Sequence, residues 1–199
     1  MENNYKYYVI FKPYGVLSQF SRPEAHHKTL ADLGFSLPKD VYPVGRLDND
    51  SEGLLILTND KKLNHRLLNP DFAHSRTYAV QVDGEMTNQA IQRLENGVDI
   101  KLAKKTYHTM PANAKLLPEG LELPERDPPV RYRKTIPTSW LELTLKEGKN
   151  RQVRKMCAKT GFPVLRLVRT RIEKLVLNGM TPGEVKELVG KDLKDLLGI

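Results

Sequence analysis

The chain has 199 residues, enough for one substantial core or for two smaller halves that share one. Lys and Arg number 32 against 24 Asp and Glu, a formal charge of +8, which points to a polyanionic partner and to nucleic acid before membrane. Cys157 is the sole cysteine, the five histidines show no helical pair with an intervening Glu, no apolar run is long enough to cross a bilayer, and residues 1–4 lack a signal-peptide pattern. Intrachain disulfides are thereby excluded, zinc is not expected, and a cytoplasmic protein is.

Tyr7–Phe11 is aromatic and β-branched and runs into Pro13-Tyr14-Gly15, which predicts a strand closed by a tight turn. Residues 18–28 read as polar loop, and Thr29–Gly34 as one helical turn with a glycine stop. Val41–Val44 leads into Gly45-Arg46-Leu47-Asp48-Asn49-Asp50-Ser51-Glu52-Gly53, a charged turn bounded by glycines. From Gly53 to Thr58 the sequence is continuously apolar, as in a strand covered on both faces. Asn59-Asp60 offers caps for a helix with Leu63 and Leu67 on one face, ended by Asn69-Pro70. Tyr78, Val80 and Val82 alternate with Ala79, Gln81 and Asp83 and predict a two-faced strand. Thr87 caps a helix that buries Ala90, Ile91 and Leu94 and stops at Gly97.

From about Lys101 to Ser139 regular patterning is lost. This segment holds Pro111, Pro118, Pro124, Pro128, Pro129 and Pro137, interleaved with Arg126, Arg131, Arg133 and Lys134. It reads either as a loop that grips substrate or as a solvated insertion. Leu141, Leu143 and Leu145 then mark a strand, and Asn150 caps a helix that turns Val153, Met156 and Cys157 inward. Gly161-Phe162-Pro163 ends that helix, and Val164–Ile172 is a strand carrying Arg166, Arg169 and Arg171. A short strand over Glu184–Val189 and a helix from Lys191 complete the chain. Strands separated by single helices without strict alternation indicate an α+β fold, expected as a single domain over residues 1–199.

The charged turn is the first candidate for chemistry. Asp48-Asn49-Asp50-Ser51-Glu52-Gly53 begins like a calcium-binding loop, but Asn59 stands where the closing bidentate Glu is required. Paired carboxylates could serve glycoside hydrolysis, for which the basic, aromatic-poor chain is a poor fit, or could simply hydrogen-bond the turn. Arg46, two residues before Asp48, could hold a phosphate while the carboxylate faces the reacting group. Tyr78 offers a flat face for a base, or else is a core tyrosine. Glu147–Lys155 places Lys149, Arg151, Arg154 and Lys155 at a turn and helix start where backbone N–H groups favour phosphate. The same run could be a solvated basic face, and Arg154, in the first helical turn, could instead point inward to a carboxylate.

Together, Phe11–Gln19, Gly45–Asp60, Arg76-Thr77-Tyr78 and Glu147–Arg169 resemble, in order and spacing, the RsuA family of pseudouridine synthases. Asp127–Arg131 and Ile136–Leu141 resemble more narrowly its RluE branch, which acts on a uridine of large-subunit (23S) ribosomal RNA. The resemblance implies a bent, mixed but mainly antiparallel sheet with flanking helices and a central catalytic cleft, working without cofactor or metal. It makes Asp48 the essential carboxylate, acting either as nucleophile or by abstracting a ribose proton. Arg46 would help extrude the uridine from its stack. Tyr78 would stack on the base and assist proton removal from C5, Arg154 would pair with Asp48 and keep it ionised, and Leu167 would pack beneath the base. Lys12, Lys149 and Arg151 are the further substrate-binding candidates, while Asp50 and Glu52 shape the turn. Many members carry an N-terminal RNA-binding S4 domain; none is expected here, so RNA grip falls to the basic insertion and the arginine-rich strand. Arg76 replaces the family's usual Lys with charge retained. The expected function is conversion of a specific uridine in 23S rRNA by a monomer whose partner is rRNA. The alternatives are a synthase acting on small-subunit rRNA or tRNA, or a non-catalytic rRNA-binding assembly module.

Overall fold

A computed structural model describes residues 4–103, 105–117, 122–131, 135–177 and 179–199. The chain folds as two units, Met1–His74 with Arg169–Ile199, and Ser75–Val168.

The first unit opens with β1 (Tyr7–Lys12), every residue of which is buried. The short pieces β2 (Val16–Leu17) and β3 (Lys28–Thr29) pair in parallel, and a single 3₁₀ turn over Leu30–Leu33 ends at Gly34 as predicted. β4 (Tyr42–Pro43) and β5 (Glu52–Thr58) bracket the charged turn. All seven residues of β5 are buried, which is why its sequence runs apolar without alternation. Asp60 caps α1 (Lys61–Leu68) by accepting from Lys62 N and Leu63 N at 3.0 and 3.1 Å. Its other oxygen accepts from the Tyr7 hydroxyl at 2.8 Å. Burial and that acidic neighbour together raise the Tyr7 hydroxyl above its ordinary pKa.

In the second unit β6 (Arg76–Asp83) is followed by α2 (Asn88–Asn96), capped by Thr87 and burying Ala90 and Leu94, with Ile91 half-buried beside them. The alternation read for β6 is broken. Ala79 is buried along with Val80 and Val82, and Tyr78 is only half-buried. Regular structure continues into the segment read as irregular. It holds the hairpin of β7 (Asp99–Leu102) and β8 (Lys105–His108), then β9 (Asn113–Leu117) as edge partner of β10 (Thr138–Leu145). β10 also pairs antiparallel with β6, Leu143 opposite Tyr78. α3 (Gln152–Thr160) turns Val153, Met156 and Cys157 inward, and burial pushes the Cys157 thiol up to about 12. The cap of α3 is not Asn150. Arg151 stands at that position with a left-handed backbone, φ 52°, and its side chain makes no capping bond.

β11 (Val164–Ile172) leaves the second unit at Val168 and enters the first at Arg169. β12 (Leu175–Val176), β13 (Val185–Glu187) and α4 (Gly190–Leu197) follow, so the predicted last strand is shorter than Glu184–Val189. Strand order is β13-β1-β5-β11 in the first unit and β11-β6-β10-β9 in the second. Apart from the parallel β2–β3 pair, these registered pairings are antiparallel, and single helices interrupt the strands without strict alternation, as in an α+β protein. Among the described residues no helix is long and apolar enough to span a membrane.

Candidate active site

Asp48 lies in the turn between β4 and β5 and is half-buried, while Arg46 before it is exposed. The turn is locked through its backbone. Ser51 N donates to Asp48 O at 3.0 Å, and Gly15 N donates to Asn49 O at 2.8 Å, tying the Pro13–Gly15 turn to the motif. Ser18 Oγ donates to Leu47 O at 2.8 Å and accepts from Leu47 N at 3.0 Å. Leu47 itself is buried and anchors the turn from beneath. A carboxylate on such a loop has little freedom left to lose, which is what a fixed reactive group requires.

Behind the turn sits Lys12, expected above as an RNA contact. That assignment is corrected: Lys12 is 0% exposed, with Nζ donating to Val16 O at 2.6 Å and Pro13 O at 2.8 Å. Burial lowers its pKa to about 7. The Glu52, Asp50 and Asp48 carboxylates pull it back up, and the Arg169 guanidinium pushes it further down. Arg169 is buried too, and its Nε donates to Leu54 O at 2.7 Å. The acidic turn thus has two internal cations at its back. Glu52, the first residue of β5, is buried, in keeping with a role in the turn.

The remaining site candidates belong to the second unit. Tyr78 is half-buried against a hydrophobic cluster that includes Leu143, Met156 and Leu167. Leu167 is buried within that cluster. Arg154, half-buried in the first turn of α3, reaches Val164 O at 3.5 Å through Nη1. Lys149 holds its ammonium 4.9 Å from the Tyr107 ring centre, and Arg151 is exposed.

The turn that carries these cations depends on a residue that sequence reasoning missed. Glu147 is buried and accepts from Tyr107 Oη at 2.6 Å, Gln152 Nε2 at 2.5 Å and Met110 N at 2.8 Å. The bond to Glu147 and partial burial raise the Tyr107 hydroxyl above its ordinary pKa. Gln152 in turn accepts from Lys149 N at 2.9 Å. A carboxylate five residues before an inward-facing amide at a helix start was the available signal.

The proline-rich segment divides between its two readings. Arg126 donates to the carbonyls of Pro128, Pro129 and Leu165, and Arg166 to that of Pro124 at 2.8 Å, so these arginines bind the segment down. Arg131 is exposed, whereas Pro118, Arg133 and Lys134 lie outside the described residues.

The turn thus presents a half-buried carboxylate two residues from an exposed arginine. Residues 6–159 match the model of the RNA pseudouridylate synthase family, and the chain belongs to that family. The ribosomal large subunit pseudouridine synthase E of Xanthomonas axonopodis pv. citri is 51% identical over 86% of this chain and 87% of its own. The enzyme of the same name from Vibrio parahaemolyticus is 46% identical over 93% of this chain and 74% of its own. A crystal structure of a pseudouridylate synthase shares the fold at a TM-score of 0.77 and 24% identity, over 97% of this chain and 74% of that one.

Proposed function

We propose that the chain converts a uridine of large-subunit (23S) ribosomal RNA to pseudouridine, with Asp48 as the essential carboxylate. The reaction breaks the bond from C1′ to N1 and forms one from C1′ to C5. N1 gains a proton and C5 loses one, so substrate and product have the same composition and no electrons are exchanged. A carboxylate, a means of exposing the base and a proton acceptor satisfy that balance.

The observation that carries this reading is the backbone-locked turn presenting Asp48 beside an exposed Arg46. Similarity to enzymes named large subunit pseudouridine synthase E, at 46–51% identity, supports the choice of RNA. In this proposal Arg46 enters the space left by the extruded uridine, whose unstacking costs a few kcal/mol. Tyr78 supplies the aromatic face for the uracil and helps remove the C5 proton, with Leu167 beneath the base. Arg154 supplies the positive charge that favours an ionised carboxylate. Lys149 and Arg151 contact phosphates. In this reading residues 1–199 act as one catalytic module, a cytoplasmic monomer with rRNA as its partner.

Release of tritium from rRNA labelled at uridine C5 tests the chemistry. Wild type releases label to solvent, and Asp48→Asn, which keeps the shape of the side chain, releases none above background. Equal release by the two proteins sinks the role of Asp48, and no release by wild type sinks the reaction. Pseudouridine mapping in a strain lacking the protein tests the target, and an unchanged large-subunit map refutes it.

A further inference from the structure

The first unit contains a cavity of about 850 Å³ in which, of the residues given roles in the proposed reaction, Arg46 alone takes part. Phe20, Phe35 and Tyr42 line it, together with Asn64, Lys39 and Arg46. Phe20 and Phe35 meet edge to face, with ring centres 6.5 Å apart and planes at 82°, while Tyr42 is 61% exposed. Only 7% of the chain is aromatic, so three rings around one cavity are a local concentration. Its charged lining residues are Lys39 and Arg46, and none is acidic.

We infer that this cavity receives a second unstacked base of the RNA, a near neighbour of the uridine that is converted; the inference rests on the function proposed above. Flat aromatic walls accept any base through its π-face. The amide of Asn64 can pair with a base edge, and the two cations suit the phosphates on either side of it. A purely apolar ligand would leave Lys39 and Arg46 unused. Arg46 is shared with the turn that bears Asp48, and two residues span at most about 7 Å. A strand whose uridine lies at Asp48 therefore passes the cavity mouth within one or two nucleotides. Arg46 then does two things at once, entering the gap left by the uridine and closing one side of the cavity over its neighbour.

Affinities are measured for an rRNA stem-loop carrying the target uridine, with each flanking base removed in turn. For the wild type, one abasic position weakens binding by on the order of tenfold. Tyr42→Ala loses a similar factor on intact RNA, and on it that same abasic position costs nothing further. Because Tyr42 is exposed, this variant keeps the wild-type melting temperature. Phe35→Leu, which keeps bulk but removes the flat ring, shows the same loss of coupling. If every abasic position costs the variants as much as the wild type, the inference is wrong. Tritium release without such coupling overturns this inference alone, whereas a wild type that releases no tritium overturns the proposed function and this inference with it.

Discussion

Gly53 leaves no room for a side chain. Its φ is +105°, and a Cβ built on it stands 2.3 Å from Arg169 O, 2.7 Å from Arg169 N and 2.9 Å from Arg169 C. These are backbone atoms and cannot swing aside like a side-chain tip. In Gly53→Ala, β5 and β11 must move apart by about 1 Å in an interior packed as densely as a crystal. The left-handed backbone costs an alanine roughly 1–2 kcal/mol. Overpacking against a fixed neighbour adds about 1–3 kcal/mol. The Arg169 bond to Leu54 O sits one residue away and is strained by the same shift. The expected loss is roughly 2–5 kcal/mol, a large part of the ~5–15 kcal/mol that holds a domain folded. Gly15→Ala is the control: its φ is +74°, but nothing lies within 4 Å of the added carbon, so only the backbone term applies. Urea unfolding of the two variants reads the difference directly. Equal losses would mean that the approach of Arg169 to Gly53 has no energetic weight, and the account of how β5 is held would fail.

Lys12 gives a pH signature. In the native state it loses its proton near pH 7, and unfolded it does so near 10.5. Between those values the unfolded chain binds the extra proton, so this site adds stability as pH rises through the window. The stability of wild type relative to Lys12→Met therefore increases from pH 7 to pH 10, and parallel denaturation midpoints would contradict it. Glu147→Gln replaces a three-fold acceptor with a group that is half donor, and the buried mismatch costs about 1–3 kcal/mol by denaturant unfolding. An unchanged midpoint would show that Glu147 does not hold the turn before α3. RNA affinity falls steeply with salt, and Arg46→Ala lowers the slope of log K against log salt by about one while Arg126→Ala leaves it unchanged. A slope that drops with Arg126→Ala would return that side chain to the RNA surface.

Much of the fold was legible because its signals are local. Asp60, Thr87 and Gly97 mark helix ends by their own side chains or backbone, and β5 reads as buried because it carries no alternation. What the sequence concealed depends on partners far along the chain. β9 is recognisable only as the edge strand of β10, since its pattern places Ala114 inward and leaves Leu116 exposed. The cap of α3 went to Arg151 rather than Asn150 because a left-handed residue, and not a side-chain oxygen, turns the chain into the helix. The bonds of Arg126 to carbonyls within the proline-rich stretch show why a count of its cations overstates how many are free to meet a partner.

Arg46 and Asp48 were candidates from the sequence alone, whereas what holds their turn in place was not legible there. Asp48, Asp50 and Glu52 are crowded into five residues, and like charges so close oppose one another. A turn of that composition persists only if positive charge is built in behind it, and none is available within the motif except Arg46, which is exposed. Lys12 and Arg169 meet the requirement from distant parts of the chain, on β1 and β11, both buried and both hydrogen-bonded to backbone carbonyls. Held by carbonyls, Arg169 and the protonated form of Lys12 cannot follow an RNA phosphate, so the field they set at the turn is present before substrate arrives. An arrangement of that kind stabilises charge without reorganising at the moment of reaction, the usual source of the largest catalytic term. Lys12 is thus coupled to the turn through charge alone, since its side chain is fully buried.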